Sequence, residues 1–204
     1  MNASPMGKHA RGYQLAMQAV DNLRRSHSDY ALTERDLAAG CFGWISADCA
    51  TAIIQRLDRS VPEFQASEAL IRELEDTDAL IITTPMHNYT VPAALKLWVD
   101  LVLRHGRSFA AKDGQKVGLL ADRPTLVIVA SGGYIRGGKA KQPDHLTGYL
   151  TDVLATLGIH DIRFVYFEAL AQPDRAARAM IEGHSAIISD ERFSRPSSSQ
   201  RASS

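Results

Sequence analysis

Thr83-Thr84-Pro85-Met86-His87-Asn88-Tyr89-Thr90-Val91-Pro92 is the stretch whose reading decides the fold. Ahead of it, Ala79-Leu80-Ile81-Ile82 is an unbroken apolar run ending in two β-branched residues. A short run of that kind, closed by Pro85, reads as a strand buried on both faces. Behind it, Leu95, Trp98, Val99 and Val102 recur at helical spacing, so an amphipathic helix follows. Pro92 stands where a first helical turn tolerates proline, because the missing N–H would have had no partner there. Buried strand, polar loop and helix form the unit with which open α/β sheets hold ligands at the carboxyl end of a strand.

Working outward, 204 residues suit one α/β domain with a sizeable core. The 23 basic and 23 acidic residues balance, so no field favours nucleic acid or a membrane surface. The apolar runs are too short to span a bilayer and the amino end lacks a signal-peptide core. Cys41 and Cys49 are too few for a disulfide framework and lack redox spacing, which predicts a reduced, cytoplasmic setting. The seven histidines are scattered without ligand spacing, so no metal site is expected. Neither a Walker lysine loop nor an arginine-aromatic patch is present.

In chain order, Asn2-Ala3-Ser4-Pro5-Met6-Gly7 is a turn-forming segment leading into a helix with Tyr13, Ala16, Met17 and Val20 on its buried face. Asp29 to Leu37 reads as a second strand, with Tyr30 and Leu32 on one face. Two helical patterns follow, Ala50, Ile53, Ile54, Leu57 and then Ser67, Leu70, Ile71, Leu74, separated by Pro62. Trp44 reads as a packing aromatic. Phe109 to Arg123 is a Gly- and Lys-rich surface connection. Pro124 to Ala130 is the next buried strand, running into Ser131-Gly132-Gly133-Tyr134, where glycines let backbone approach a flat ligand. Leu146, Tyr149, Leu150, Val153, Leu154 and Leu157 mark a helix, Ile159 to Phe167 a last strand. Ala177, Met180, Ile181, His184 and Ile188 mark the final helix. Residues 191–204 are Ser-rich without apolar periodicity and read as a disordered tail.

Pro85-Met86-His87-Asn88-Tyr89, then Val91-Pro92, Leu95-Lys96, Trp98 and Asp100, resembles the FMN-dependent NADH:quinone oxidoreductases known as azoreductases. The likeness continues at Arg104, Gly106, Phe109, Gly118-Leu119, Ala130-Ser131-Gly132-Gly133 and Leu157-Gly158-Ile159, and spans Asn2 to Asp190. The resemblance implies a flavodoxin-like three-layer α/β/α domain over residues 1–190, built on a parallel sheet. It implies FMN as cofactor, NADH or NADPH as reductant, a quinone or azo compound as small-molecule acceptor, and a homodimer.

Residue by residue, it implies that Pro85 belongs to the flavin site, that Met86 lies against the flavin ring, and that the backbone from His87 to Tyr89 reaches the ring's polar edge. The amide of Asn88 both donates and accepts, which suits an edge that alternates the two. Alone, Met86 reads as a core methionine and Asn88 as a turn former; only the whole block after a buried strand points to flavin. Ala130, Ser131, Gly132 and Gly133 supply the second contact, where the family has Ser-Arg-Gly-Gly, so a cation is lost. Ser4 matches the family's Ser before Pro in the loop that cradles the FMN phosphate. The family's following Ser-x-Ser is replaced by Ala10-Arg11-Gly12, leaving Lys8, His9 and Arg11 to supply charge. Thr156 stands where the family often has a pocket aromatic.

No side chain is assigned as a catalytic acid or base, and hydride transfer needs none. Two other functions stay open. Sequences of this kind have carried the label acyl-carrier-protein phosphodiesterase, but neither a metal constellation nor an activated nucleophile is present, and Ser131 lies in no Gly-x-Ser-x-Gly elbow. A redox-silent module that keeps the fold without flavin is the other. Last, the family's first strand precedes the Ser-Pro turn, and here only Met1-Asn2-Ala3 do. This predicts a missing first strand, a gap between its neighbours, a natural start upstream, and weak folding or weak FMN retention as written.

Overall fold

The computed structural model describes residues 1–26, 30–40 and 42–189. The helices are α1 (Arg11–Ser26), α2 (Ala47–Gln55), α3 (Gln65–Glu75), α4 (Ala93–Val102), α5 (Thr147–Leu157) and α6 (Pro173–Ile188). The central strands are β1 (Leu80–Pro85), β4 (Thr125–Ala130) and β5 (Ile162–Phe167), separated in sequence by a hairpin of β2 (Phe109–Lys112) and β3 (Gln115–Gly118). β1, β4 and β5 run parallel in that order, with Thr83 opposite Ile128 and Ile128 opposite Val165.

Alternate residues of the middle strand explain its unbroken apolar run. Leu126 and Ile128 pack with Leu15, Ala16, Ala19 and Ile187 from α1 and α6. Val127 and Val129 pack into the larger cluster with Ile71, Leu95, Trp98 and Leu154 from α3, α4 and α5. Helices on both faces of a parallel sheet make the three-layer α/β/α arrangement. On α6 the buried residues include Ala176 and Ile187, whereas Ala177 is exposed and Ile181 is 69% exposed; the expected face is displaced by one residue. Gly183 lies on the inner side because a Cβ there would come within 1.7 Å of the Phe167 ring.

As the sequence suggested, no first strand forms; a stub of residues 1–3 stands in its place with one bridging residue. Asn2 forms a parallel bridge to Asp36 on one side and to Thr83 on the other. Asn2 N–H donates to the Arg35 carbonyl and Leu37 N–H to that of Asn2, both at 2.8 Å. Ala3 N–H and the Thr83 carbonyl, and Thr83 N–H and the Met1 carbonyl, pair at 2.9 Å. The stub thus fills the middle position of a doubly wound order. Beyond Met1 the flanking segments enclose a cavity of about 1280 Å³, lined from one face by Met17, Val20 and Leu23 and from the other by Leu70, Leu74 and Trp98. The Met1 ammonium donates to the Ile81 carbonyl at 2.8 Å, and burial pushes its pKa from 8.0 down to about 6.

The second strand expected over Asp29–Leu37 does not form: only Asp36 is in a bridge, and Asp29 lies outside the described residues. A strand needs a neighbour for its backbone groups, and the stub supplies one only at its end. The connection after α4 folds as the β2–β3 hairpin, turning through Asp113 and Gly114, both at positive φ. It docks by Gly118, whose Cβ would sit 2.1 Å from the Gly158 nitrogen. Trp44 does not pack: it is 81% exposed. On α2 the buried residues are Cys49 and Ala52, while Ile54 is 80% exposed. Cys41 and the 191–204 tail lie outside the described residues.

An ion-pair network clamps α3 to the turn after α4. Glu68 accepts from Arg104, whose guanidinium also lies 4.3 Å over the Phe64 ring, and from Arg107 Nε at 3.0 Å. Arg107 also grips Glu75 bidentately at 2.6 and 2.8 Å. Burial alone would raise the Glu68 carboxyl; hydrogen bonds from Arg107 and Arg104 outweigh it and hold the group below its ordinary range.

Candidate functional site

The carboxyl ends of the stub, β1, β4 and β5 open onto one edge of the sheet, where parallel sheets bind ligands. Four loops meet there. The loop after β1 is anchored by Met86 N–H donating to the Ala130 carbonyl at 2.8 Å. Its tip is a tight turn: His87 N–H donates to the Thr90 carbonyl at 2.9 Å and Thr90 N–H returns at 3.1 Å. The two residues between them, Asn88 (φ 49°) and Tyr89 (φ 73°), are both left-handed. Neither is glycine, and each such residue costs roughly 1–2 kcal/mol. The strain is held in place by His145 N–H, which donates to the Tyr89 carbonyl at 3.0 Å.

The loop after β4 faces this turn. Ser131 is buried, its N–H donating to the Phe167 carbonyl at 2.7 Å. The carbonyls of Ser131, Gly132 and Gly133 accept from Leu170, Ala171 and Ala169 of the loop after β5, at 3.1–3.2 Å. Gly132 and Gly133 themselves are exposed, and the missing side chains leave a bare backbone face. Met86, Asn88, Tyr89, Ser131, Gly132, Gly133 and Gln142 enclose a cavity of about 280 Å³. Six of these are residues the sequence singled out; Pro85 and Ala130 end their strands beside it. His87 is exposed and does not line it.

The loop after the stub is a wound turn. Ser4 is buried; its hydroxyl accepts from Met6 N–H at 3.3 Å and its carbonyl from Gly7 N–H at 3.0 Å. The chain then enters α1, whose first amides face the same edge. Gly12 lets the helix approach the sheet: a Cβ there would lie 3.6 Å from Thr83 Cβ. Arg11 spends part of its guanidinium on the Leu170 carbonyl at 3.1 Å, tying this loop to the one after β5. The Asn2 amide nitrogen at the foot of the turn is a buried donor without a partner. Thr156 bonds the Asp152 carbonyl of its own helix and does not line the cavity.

Two groups escaped the sequence. Gln142 Nε2 donates to Ser131 Oγ at 3.1 Å and closes the cavity; neither motif nor periodicity marks it. Glu168 Oε1 accepts from Ile135 N–H at 2.7 Å and Arg136 N–H at 2.9 Å, fixing the exit of the glycine loop. Beneath that exit, Tyr166 shares a 2.7 Å hydrogen bond with Thr147, and burial raises its phenol above the ordinary value. Among the described residues no group of three His, Cys, Asp or Glu side chains is placed to hold a metal ion, and no helix is long and apolar enough to cross a membrane.

This architecture matches known proteins. Residues 1–189 fit the profile of a family described by its flavodoxin-like fold. The chain is 48% identical over 182 residues to FMN-dependent NADH:quinone oxidoreductase 4 of Pseudomonas fluorescens, covering 89% of this chain and 88% of that one. It is 48% identical over 183 residues to FMN-dependent NADH:quinone oxidoreductase 5 of Burkholderia lata, covering 90% and 89%. In fold it is similar to the azoreductase AzrA, with TM-score 0.81 at 20% identity over 95% of this chain and 96% of that one. The FMN-dependent NADH-azoreductase of Bacillus anthracis, solved with FMN, gives TM-score 0.75 at 21% identity, covering 91% and 95%.

Proposed function

We propose that this chain, which belongs to the flavodoxin-like family of the FMN-dependent NADH:quinone oxidoreductases, is itself an FMN-dependent NAD(P)H oxidoreductase that reduces quinones or azo compounds. The observation that carries the reading is the strained Asn88–Tyr89 turn facing the bare Gly132–Gly133 backbone across one cavity at the carboxyl edge of the sheet. A flat heteroaromatic ring with a polar rim fits such a place: it needs close backbone approach on one side and fixed donors and acceptors on the other.

FMN bound there would supply the chemistry, two-electron transfer from NADH or NADPH to the acceptor. Met86 packs against the ring. The Asn88 amide and the backbone from His87 to Tyr89 meet its polar edge, and donors fixed in advance favour the charge that reduction brings. Pro85, Ala130 and Ser131 set the two loops on their strands, and Gly132 and Gly133 leave room for the ring. Ser4 and the first amides of α1 hold the phosphate, with Lys8, His9 and Arg11 adding positive charge. No side chain is asked to move a proton. The names of the relatives support neither a phosphodiesterase nor a flavin-free module.

Residues 1–190 act as one FMN-binding domain in this reading, and the protein is a homodimer in the cytoplasm. Support for the dimer is the exposed apolar side chains of Trp44, Ile53, Ile54 and Leu57, on α2 and beside its ends, since exposed apolar surface marks interaction sites. The test is spectroscopic. Protein reconstituted with FMN shows flavin absorbance that bleaches anaerobically with NADH or NADPH and returns on adding a quinone. Failure to retain FMN at micromolar concentration would leave the flavin-free module standing, and metal-dependent release of phosphopantetheine would favour the hydrolase.

A further inference from the structure

Residues 134–141 form a loop rooted at both ends in the cavity rim. Gly133 and Gln142, the residues flanking it, line the cavity, and Lys141 N–H closes the base on the Tyr134 carbonyl at 3.1 Å. The loop carries Arg136, Lys139 and Lys141, and the first turn of α6 sets Arg175 against it, donating to Tyr134 Oη at 3.0 Å. Aromatic rings order the cations: Arg136 lies 4.2 Å over Tyr166, Lys139 and Arg175 lie 5.7 and 5.6 Å from the Tyr134 ring. All four are exposed, and among the described residues none is in an ion pair. Elsewhere Arg35, Arg104, Arg107 and Arg178 each grip a glutamate. Glu168, the acid in contact with the loop, is engaged by the amides of Ile135 and Arg136. In a chain of formal net charge zero, four cations gather here, and the nearby carboxylates Glu168 and Asp144 are engaged by backbone amides and Thr147 rather than ion-paired with them.

We propose that this cationic loop docks the phosphates of the nicotinamide nucleotide, the diphosphate and above all the 2′-phosphate of NADPH. The inference rests on the flavin oxidoreductase reading. Nicotinamide and diphosphate are joined through a single ribose, so a nicotinamide presented to the cavity brings its phosphates to the rim. Gly137 and Gly138 have no atom within 4 Å of a Cβ position, which leaves the loop's outer face open to a bulky nucleotide. Guanidinium forks bind phosphate oxygens in pairs, and the lysines add point charge. The diphosphate satisfies two cations. A phosphomonoester adds about −1.5 to −2 at pH 7, and that is what the remaining two would meet.

The test uses the FMN-reconstituted protein but does not need turnover. 2′-Phospho-ADP-ribose and ADP-ribose, which lack nicotinamide, are titrated by calorimetry into wild type, R136Q/R175Q and R136K/R175K. The phosphorylated nucleotide should bind more tightly to wild type, lose about tenfold or more in the Gln variant and recover most of it in the Lys variant. Raising salt to about 0.3 M should weaken it, because exposed charges are screened beyond roughly a Debye length. FMN absorbance, and reoxidation of dithionite-reduced protein by a neutral quinone, should be the same in all three, so a failure of the flavin site is seen separately. Equal affinity in wild type and R136Q/R175Q, no preference for the 2′-phosphate, or no binding by wild type would overturn the proposal.

Discussion

An apolar extension ahead of Met1 should stabilise this protein, and more at low pH than at high. The space is defined by the fold: Asn2 pairs on both sides at once, and beyond it lies a cavity of about 1280 Å³ between two apolar layers. A short run of residues of Val or Ile character would continue the stub into it in extended form. Burying each such side chain contributes about 1.5–3 kcal/mol, against about 1–2 kcal/mol per residue for ordering the backbone. The net is therefore a few kcal/mol and hard to fix in advance.

The pH-dependent part is firmer. Burial holds the Met1 amine at about 6 rather than 8.0, so between those values the unfolded chain binds a proton that the folded chain does not. Stability therefore rises with pH through this window, and below about 6 the folded state has lost roughly 3 kcal/mol, about 1.4 kcal/mol for each pKa unit. Turning the amine into a peptide N–H removes that loss. In a domain of this size 1 kcal/mol moves Tm by about 2–4 °C. The extension's gain in Tm should then be about 6–12 °C larger at pH 5.5 than at pH 8.5, by scanning calorimetry at both. An equal gain at the two pH values would refute the buried-amine argument, and no gain at either would show that the cavity does not seat a strand.

Three further outcomes follow from the site and the core. Met86→Ala and Asn88→Ala should each weaken FMN binding by about 1–3 kcal/mol, through lost ring packing and an unsatisfied polar edge, measured by fluorescence titration; unchanged affinity and turnover in both would remove the loop from the flavin site. Tyr89→Gly should raise Tm by up to about 2–4 °C, since glycine adopts the left-handed conformation at no steric cost, and a lowered Tm would mean that ring contacts outweigh the strain. Glu68→Ala should cost about 3–5 kcal/mol in urea unfolding, because it strands Arg104 beside Phe64 without its partner; a loss under about 1 kcal/mol would show the network to be solvated.

The strands were legible where side chains on both faces are apolar. Ile82 and Val127 to Val129 are fully buried, and no helix period competes in runs so short. The α3 and α4 faces were legible too, because Leu70, Ile71 and Leu74, and Leu95, Trp98, Val99 and Val102, meet one cluster. On α2 the same logic failed: Ile53, Ile54 and Leu57 have the right spacing but the small Cys49 and Ala52 face inward. Periodicity reports an apolar stripe, not what covers it. The β2–β3 hairpin carried a readable sign in Asp113-Gly114, a pair suited to two successive positive φ angles. In the site, the glycine pair was readable because glycine lets backbone approach a ligand, and the central loop because a buried strand precedes a block that resembles the family's. Gln142 was not, since its role depends on a loop whose path no local pattern sets.

That contrast bears on the departures from the family's sequence. On the family resemblance, Ala130-Ser131 stands for Ser-Arg and Ala10-Arg11-Gly12 for Ser-x-Ser, which would remove side-chain donors at two of the loops that meet at the sheet edge. Yet, apart from Gln142 on Ser131 Oγ, the groups that shape the cavity are held by main-chain bonds: Met86 to Ala130, His87 to Thr90, His145 to Tyr89, and Ser131 to Phe167. None of these depends on the side chain at position 10, 11, 12, 130 or 131. Left-handed Asn88 and Tyr89 persist only because such bonds over-determine them. Side-chain losses at the rim then act on the strength of ligand binding and leave the geometry of the cavity in place, whereas breaking one anchor, such as the His145 amide bond to Tyr89, would let the turn relax and remove the site itself.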